Sequence, residues 1–497
     1  MKYNILKYSL ILTVMLLSVV SCKDYLDINK DPNNVADAPI EQVFTSATVG
    51  LGFFAGSDLD RYSTLLAQQW SGTLPNQTGE YERFNITGTD VNNVWSLIYS
   101  TVLSDLELVI KKATDEASPN YGGTAKIMKA YIYQLLVDAW GKIPYSEALK
   151  FTGNTNPKFD DGAAIYPALI TLIDDGIADI NNTTSVKSPA ANSTIFTGAW
   201  TSQKVKWERL ANTLKMRIFL HYSKIDKAKA VSEISKLTSA NVMTSTADNF
   251  QMPFFNTSGQ QNPIHQFEVS RANYLFGNAT IVNMMNDKKD PRRAKYFTTF
   301  PLYSGLYKGS PSANLQSNIK FSRLFTYLRG DTTTTAALKP ASDGSISATQ
   351  YTYTGTAPIR MMTYAEYNFI RAEAAVLGVP GIAADSLYRS GIRASMSMAG
   401  VSSAQTEDYI AANGQLTGTD DEKIKKIIEE KYVANFGVIM EPWTDFRRTG
   451  YPALSIPTNA QFPAVPRSLF YPQSELDRNP NAPTQKVDPS EKVFWDR

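Results

Sequence analysis

The chain has one cysteine, Cys22, and two histidines, His221 and His265, among 497 residues. A single thiol excludes disulfides within the chain, thiolate zinc sites and any second cysteine nucleophile. Two histidines leave little room for histidine acid-base or metal chemistry. Long apolar runs are also missing. The longest, Leu10 to Val20, falls well short of the roughly 20 residues needed to cross a bilayer. Charge of one sign is missing too, with 49 basic residues against 47 acidic. Without a basic excess or stripe, nucleic acid is excluded as a partner. No GxSxG elbow, GxxxxGK[ST] loop or HExxH helix is present, so no enzyme, metal or cofactor is expected.

Position gives the lone cysteine its meaning. Lys2 and Lys7 precede the Leu10 to Val20 stretch, and small Ser21 follows it, which is the three-part plan of a secretory signal. Residues 1–21 are read as removed. Val19, Val20, Ser21 and Cys22 form a bacterial lipobox, so Cys22 is the expected lipid attachment point. The alternative, an incidental thiol packed like a small hydrophobe, does not account for that position. Loss of Lys2 and Lys7 leaves 47 basic residues against 47 acidic, a charge-neutral body. Residues 22–37 are polar and turn-rich and read as a lipidated tether, with 38–497 as one binding domain. Within the tether, DINKDPNN spaces Asp27, Asn29, Asp31 and Asn33 like the start of a calcium loop. Pro32 stands where that loop needs glycine and Ala38 where it needs glutamate, so a turn is the reading.

From about Ile40 the hydrophobic pattern is helical. Val91, Val94, Trp95, Ile98, Tyr99, Val102, Leu103, Leu106 and Val109 make one stripe, and Met128, Ile132, Leu135, Leu136 and Ala139 the next, stopped by Gly141 and Pro144. Further pairs are expected from Ile165–Ile180 with Val205–Tyr222 and from Tyr364–Leu377 with Ala383–Met398, followed by a helix from Asp421 to Phe436. In the third pair, small alanines stand at the crossing and Gly378 at the turn, as in a degenerate tetratricopeptide unit. The expected fold is predominantly all-α, helical hairpins with a few short strands. Segments at about 181–203 and 239–360, rich in Ser, Thr, Asn, Gly and Pro, read as irregular insertions, the usual place for binding on a rigid scaffold. One stretch, TQYTYTGTAPIRM, is expected to hold a short strand.

Several segments carry a family likeness: CKDYLDINKDPNN, AYIYQLLVDAWGKIPYSEAL, RAEAAVLG with LYRSGIRASM, EKYVANFGVIMEPWTDFRRTGYPAL and PRSLFYPQSELDRNPNAP. In this order they resemble the SusD/RagB family of nutrient-binding outer-membrane lipoproteins, in its second SusD-like branch. The resemblance implies tetratricopeptide-like hairpins, a lipid anchor, and display at the outer membrane of a Gram-negative bacterium. It also implies a SusC-like TonB-dependent β-barrel transporter as partner and an oligosaccharide or peptide fragment as ligand. A surface glycoside hydrolase remains an alternative, because 47 acids always include pairs able to flank a sugar bond.

Binding asks for aromatic faces beside amide, carboxylate and guanidinium groups. QQWSGTLPNQTGEYERFNITGTD offers them between two helical stretches, so Trp70, Asn76, Tyr81 and Arg83 are candidate ligand contacts, with Gln77 beside them. The resemblance implies that this loop and the central insertion supply the ligand face, which adds Tyr274 and His265. Trp95 completes the candidates, although its place on an apolar stripe suits core packing. Trp443, Arg447 and Arg448 are read as C-terminal packing and local ion pairing with Asp445.

Overall fold

A computed structural model describes residues 38–314, 320–333, 351–381 and 383–496. Cys22, the signal, the 22–37 tether with its DINKDPNN turn, and parts of the central insertion lie outside the described residues.

The architecture is predominantly helical, with three small two-stranded antiparallel pairs among the described residues. Helix Ile40–Ala55 starts where the periodicity does. The stripe from Val91 to Val109 is one rod in three parts, Asn92–Leu97, a π-helical stretch Ile98–Val102, and Leu103–Asp115. Its apolar residues are buried apart from Tyr99, which is half-buried and donates its hydroxyl to the Pro144 carbonyl at 2.8 Å. Helix Pro119–Trp140 packs back along that rod and ends at Gly141, whose φ of 83° a side chain would resist.

Helix Gly162–Ile180 departs from the expected pairing. It touches Trp200–His221, but its main contact is with Pro119–Trp140, so the first two hairpins form one continuous layer. Two glycines cause this. A Cβ on Gly123 would stand 2.5 Å from the Gly176 carbonyl oxygen, and one on Gly176 would stand 3.0 Å from the Gly123 carbonyl oxygen. The two backbones meet with nothing between them, an approach that any other residue would prevent. The third hairpin is as expected, Tyr364–Leu377 on Ala384–Met398, with Gly378 in the left-handed conformation at the end of the first helix. An unexpected helix, Ser403–Asn413, comes next, and then Asp420–Ala434, begun by a capping box in which Thr419 N–H donates to Glu422 at 2.7 Å.

The insertions are less irregular than their composition suggests. Helix Trp200–His221 begins inside the first, and the second contains short helices including Pro263–Ser270 and Ala279–Asp287. Asn262 accepts from Ile264 N–H at 2.8 Å and Asn278 from Thr280 N–H at 2.8 Å. These caps stabilise helices too short to show a hydrophobic period. Among the described residues of the TQYTYTGTAPIRM stretch, the strand is at its end, Ile359–Met362, which runs one residue past it, pairs with Phe250–Met252 and is buried along its whole length.

A buried ionic network ties the C-terminal helices to the rest. Lys431 donates to Glu441 at 2.8 Å and lies 2.9 Å from Asp445, while Arg217 reaches Glu366 at 2.7 Å. Arg448 pairs with Asp445 at 2.9 Å, the local ion pair its sequence position suggests, and with Glu373 at 2.7 Å. Arg447 differs: it donates to the carbonyls of Asp138 at 2.6 Å and Arg467 at 2.7 Å and lies over the rings of Trp443 and Trp495. Burial pulls the Lys431 ammonium down, but Asp445 and Glu441 hold it above its ordinary value. Lys431→Met is expected to leave Glu441 without its nearest cation and Asp445 with Arg448 alone, and to cost about 3–5 kcal/mol, read as a lower urea midpoint.

Candidate ligand-binding site

The 71–83 loop is held by one buried acid. Glu82 accepts from Gly72 N–H at 2.9 Å, Ser71 Oγ at 3.0 Å, Asn278 Nδ2 at 2.7 Å and Ala313 N–H at 2.6 Å, which binds the loop to two parts of the central insertion. Burial pushes its carboxyl up to about 8, against these four donors. Thr78 Oγ1 donates to the Tyr274 carbonyl at 2.6 Å, which ties the loop to the 273–278 segment.

The candidate residues are brought to this region but not all to its surface. Trp70 is 0% exposed, in the strand Trp70–Ser71 paired with Phe276–Gly277, and its ring has no face left for a ligand. Tyr81 is buried edge-to-face on Tyr62 at 4.9 Å, with its hydroxyl on Gln77 and Asp90. Trp95 lies in the core among Tyr99, Trp140 and Phe159, as its stripe position suggests. These three are corrections: large rings at a helix junction are the cheapest means of filling it. Asn76, Arg83 and Tyr274 are half-buried. Arg83 is engaged with Glu80 at 2.9 Å and the Asn459 carbonyl at 3.3 Å, and Tyr274 meets Phe267 edge-on at 6.0 Å. His265 is buried, and burial, with Arg329 nearby, lowers its pKa to about 4, so it is neutral at physiological pH.

A different place has the geometry of a binding site. Helix Ile40–Ala55, the 191–197 part of the first insertion and the 252–260 part of the second enclose a cleft of about 480 Å³. Gly52 has no side chain where a Cβ would run into Met252, which lets the strand Phe250–Met252 close on the helix and sets Phe254 edge-to-face on Phe53 at 5.3 Å. Phe255 follows at 55% exposure, on a loop closed by its own N–H donating to the Gln260 carbonyl at 2.9 Å. The opposite wall is fixed to the helix, with Thr45 donating to the Asn192 carbonyl at 2.9 Å and Thr194 to Thr48 at 2.8 Å. Ser193, Thr194, Thr197 and Gln260 supply hydroxyl and amide groups among the rings. The sequence reading misses Phe53, Phe254, Phe255 and Ser193. The available signal is the adjacent pair Phe254–Phe255 inside an otherwise polar insertion, where two large rings have no helical stripe to belong to.

The family model described as starch-binding, associating with outer membrane, matches residues 32–472. The chain belongs to this SusD-like family. Solved structures agree on the fold. A chitin-binding protein shares 23% identity at a TM-score of 0.74, covering 92% of this chain and 99% of that one. A chitin-binding SusD homologue from Flavobacterium johnsoniae shares 21% at 0.72, covering 92% and 98%. A SusD homologue from Bacteroides fragilis shares 20% at 0.73, covering 93% and 100%. No curated protein matches the chain. The hairpins are therefore the tetratricopeptide-like scaffold of SusD-like proteins. None of the described helices is long and apolar enough to cross a membrane.

The Glu82 clamp generates a pH dependence. Its folded pKa, about 8, lies above the ordinary carboxyl value of 4.5, so the folded form keeps a proton that the unfolded chain loses. The stabilisation is full below the unfolded value and is lost as pH rises through about 8. Urea midpoints measured from pH 5 to 9 are expected to fall with rising pH, and Glu82→Gln to flatten that part of the profile.

Proposed function

We propose that this SusD-like protein is a non-catalytic receptor that captures oligosaccharide fragments at the outer membrane and passes them to a SusC-like TonB-dependent β-barrel. In this reading Cys22 carries the lipid anchor, residues 22–37 are the tether, and residues 38–497 are the binding domain. The observation that carries it is the cleft, where aromatic faces and small polar groups from both insertions meet on a rigid helix. Aromatic faces stack on the apolar faces of sugars, and hydroxyl and amide groups answer their hydroxyls. The family's starch-binding description and the two chitin-binding structural neighbours support a saccharide ligand. Hydrolysis of a glycosidic bond needs two flanking carboxyl groups, and the residues lining the cleft include none. The apolar share of the lining favours a second reading, a receptor for peptides with apolar side chains, within the same import system.

Titration calorimetry of the whole protein with malto-, cello- and chito-oligosaccharides and with a mixed peptide digest separates these readings. Binding of a glycan that is recovered uncleaved is expected. Shortened products from the pure protein would establish an enzyme, and heat with peptides alone would establish the second reading. For the anchor, Cys22→Ser expressed in a Bacteroidetes host is expected to shift the protein from the detergent phase to the aqueous phase on phase partitioning.

A further inference from the structure

The strand Ile359–Met362 carries a second cavity. Arg360 stands opposite Gln251 in the two-stranded ribbon, and Met252, the next residue, points to the other face and into the cleft. Arg360 therefore opens on the side away from the cleft, into a cavity of about 280 Å³ that it lines with Lys295, Asp331, Thr326, Thr356 and Met398. That volume lies just under the roughly 300 Å³ at which sites for drug-sized ligands begin, so the cavity suits one sugar-sized residue and not a whole chain.

The guanidinium is held there but not neutralised. Arg360 is 8% exposed, lies 3.8 Å over the ring of Tyr327 and donates Nη1 to the Tyr327 carbonyl at 3.1 Å. Other withdrawn arginines meet carboxylates, Arg217 at Glu366 and Arg448 at Glu373, whereas no acid lies within ion-pairing distance of Arg360 among the described residues. Its Nε and Nη2 have no acceptor among those residues, and neither nitrogen is sealed from solvent. The accessible edge of the residue is thus a pair of N–H groups on the cavity wall. A charge nine-tenths buried and unpaired is costly, and an anion in the cavity would relieve that cost.

The rest of the lining says what kind of anion. Lys295, exposed and without an ion pair among the described residues, adds a second positive charge, and Asp331 adds one negative. One acidic group brings the lining to neutrality. Nε and Nη2 lie on one edge of a planar fork, which takes two oxygens of the same group side by side. Asp331, Thr326 and Thr356 offer acceptors and hydroxyls to a neighbour of that group rich in hydroxyls. A uronic acid carries its carboxylate directly on a hydroxylated ring, so both needs are met within one small cavity.

We propose that this cavity binds a uronic-acid residue, with Arg360 Nε and Nη2 donating to its carboxylate, Lys295 adding charge, and Asp331, Thr326 and Thr356 meeting its hydroxyls. The inference rests on the saccharide-receptor reading for the carrier of the carboxylate, and it makes the receptor selective for acidic oligosaccharides at a place separate from the cleft.

Calorimetry on the whole protein with trigalacturonate and with its methyl ester compares one backbone with and without the charge. The free acid is expected to bind about tenfold or more tightly, the effect of one charge-assisted pair of hydrogen bonds, and to lose part of that advantage at high salt. Arg360→Gln is expected to erase the difference, and Lys295→Gln to reduce it about threefold. Phe255→Ala, in the cleft, is expected to leave the difference unchanged. Should Arg360→Gln lower the melting temperature, Lys295→Gln, on an exposed residue, carries the test. Equal affinity for acid and ester, or a preference that survives both substitutions, overturns the uronate site and leaves the receptor reading standing. Tighter binding of trialanine than of trigalacturonate also overturns it, because the cavity then takes a peptide carboxylate. Failure to bind trigalacturonate, its ester and the neutral oligosaccharides alike overturns both.

Discussion

The Lys431 ammonium, almost wholly withdrawn from water, lies between the carboxylates of Glu441 and Asp445, and the helical scaffold depends on that placement. Each buried ion costs several kcal/mol in lost hydration, so the arrangement holds only where every partner is in position. Asp445 also takes Arg448, Arg448 takes Glu373, and Arg217 takes Glu366. The linked residues come from Trp200–His221, Tyr364–Leu377, Asp420–Ala434 and Glu441–Thr449. Helices far apart in sequence are thereby fixed in one relative arrangement, because sliding any of them would strand a charge.

On that frame, the surface elements are placed by two local devices. Glycines at Gly52, Gly123 and Gly176 let backbones and side chains approach where a Cβ would not fit, and at Gly52 this approach forms one wall of the cleft. Buried polar clamps hold the irregular segments: Glu82 for the 71–83 loop, and Thr45 and Thr48 for the 191–194 wall. The cleft is consequently preformed, its aromatic wall set by packing and not by loop conformation alone, and a preformed cavity lowers the ordering cost of any ligand it takes.

The helical stripes were legible because their burial follows the 3.6-residue period, as the run from Val91 to Val109 shows. The pairing of the second hairpin was not, since two glycines 53 positions apart carry no signal that they will touch. The site was legible only in part. The insertions were marked by composition, and the cleft lies between them, but Trp70, Tyr81 and Trp95 proved to be core while Phe254 and Phe255 proved to line the cleft. An aromatic residue's sequence neighbours do not say which of its faces the distant chain will cover.

The sequence by itself determined the helical class, the family, and the expectation of an anchor at Cys22, because composition, period and local motifs are properties of short stretches. Only the tertiary structure decided which aromatics face solvent and which acid clamps the candidate loop. Those depend on contacts such as Ser71 to Ser310 or Thr45 to Asn192, which join residues far apart along the chain. Burial is settled by what the fold brings alongside.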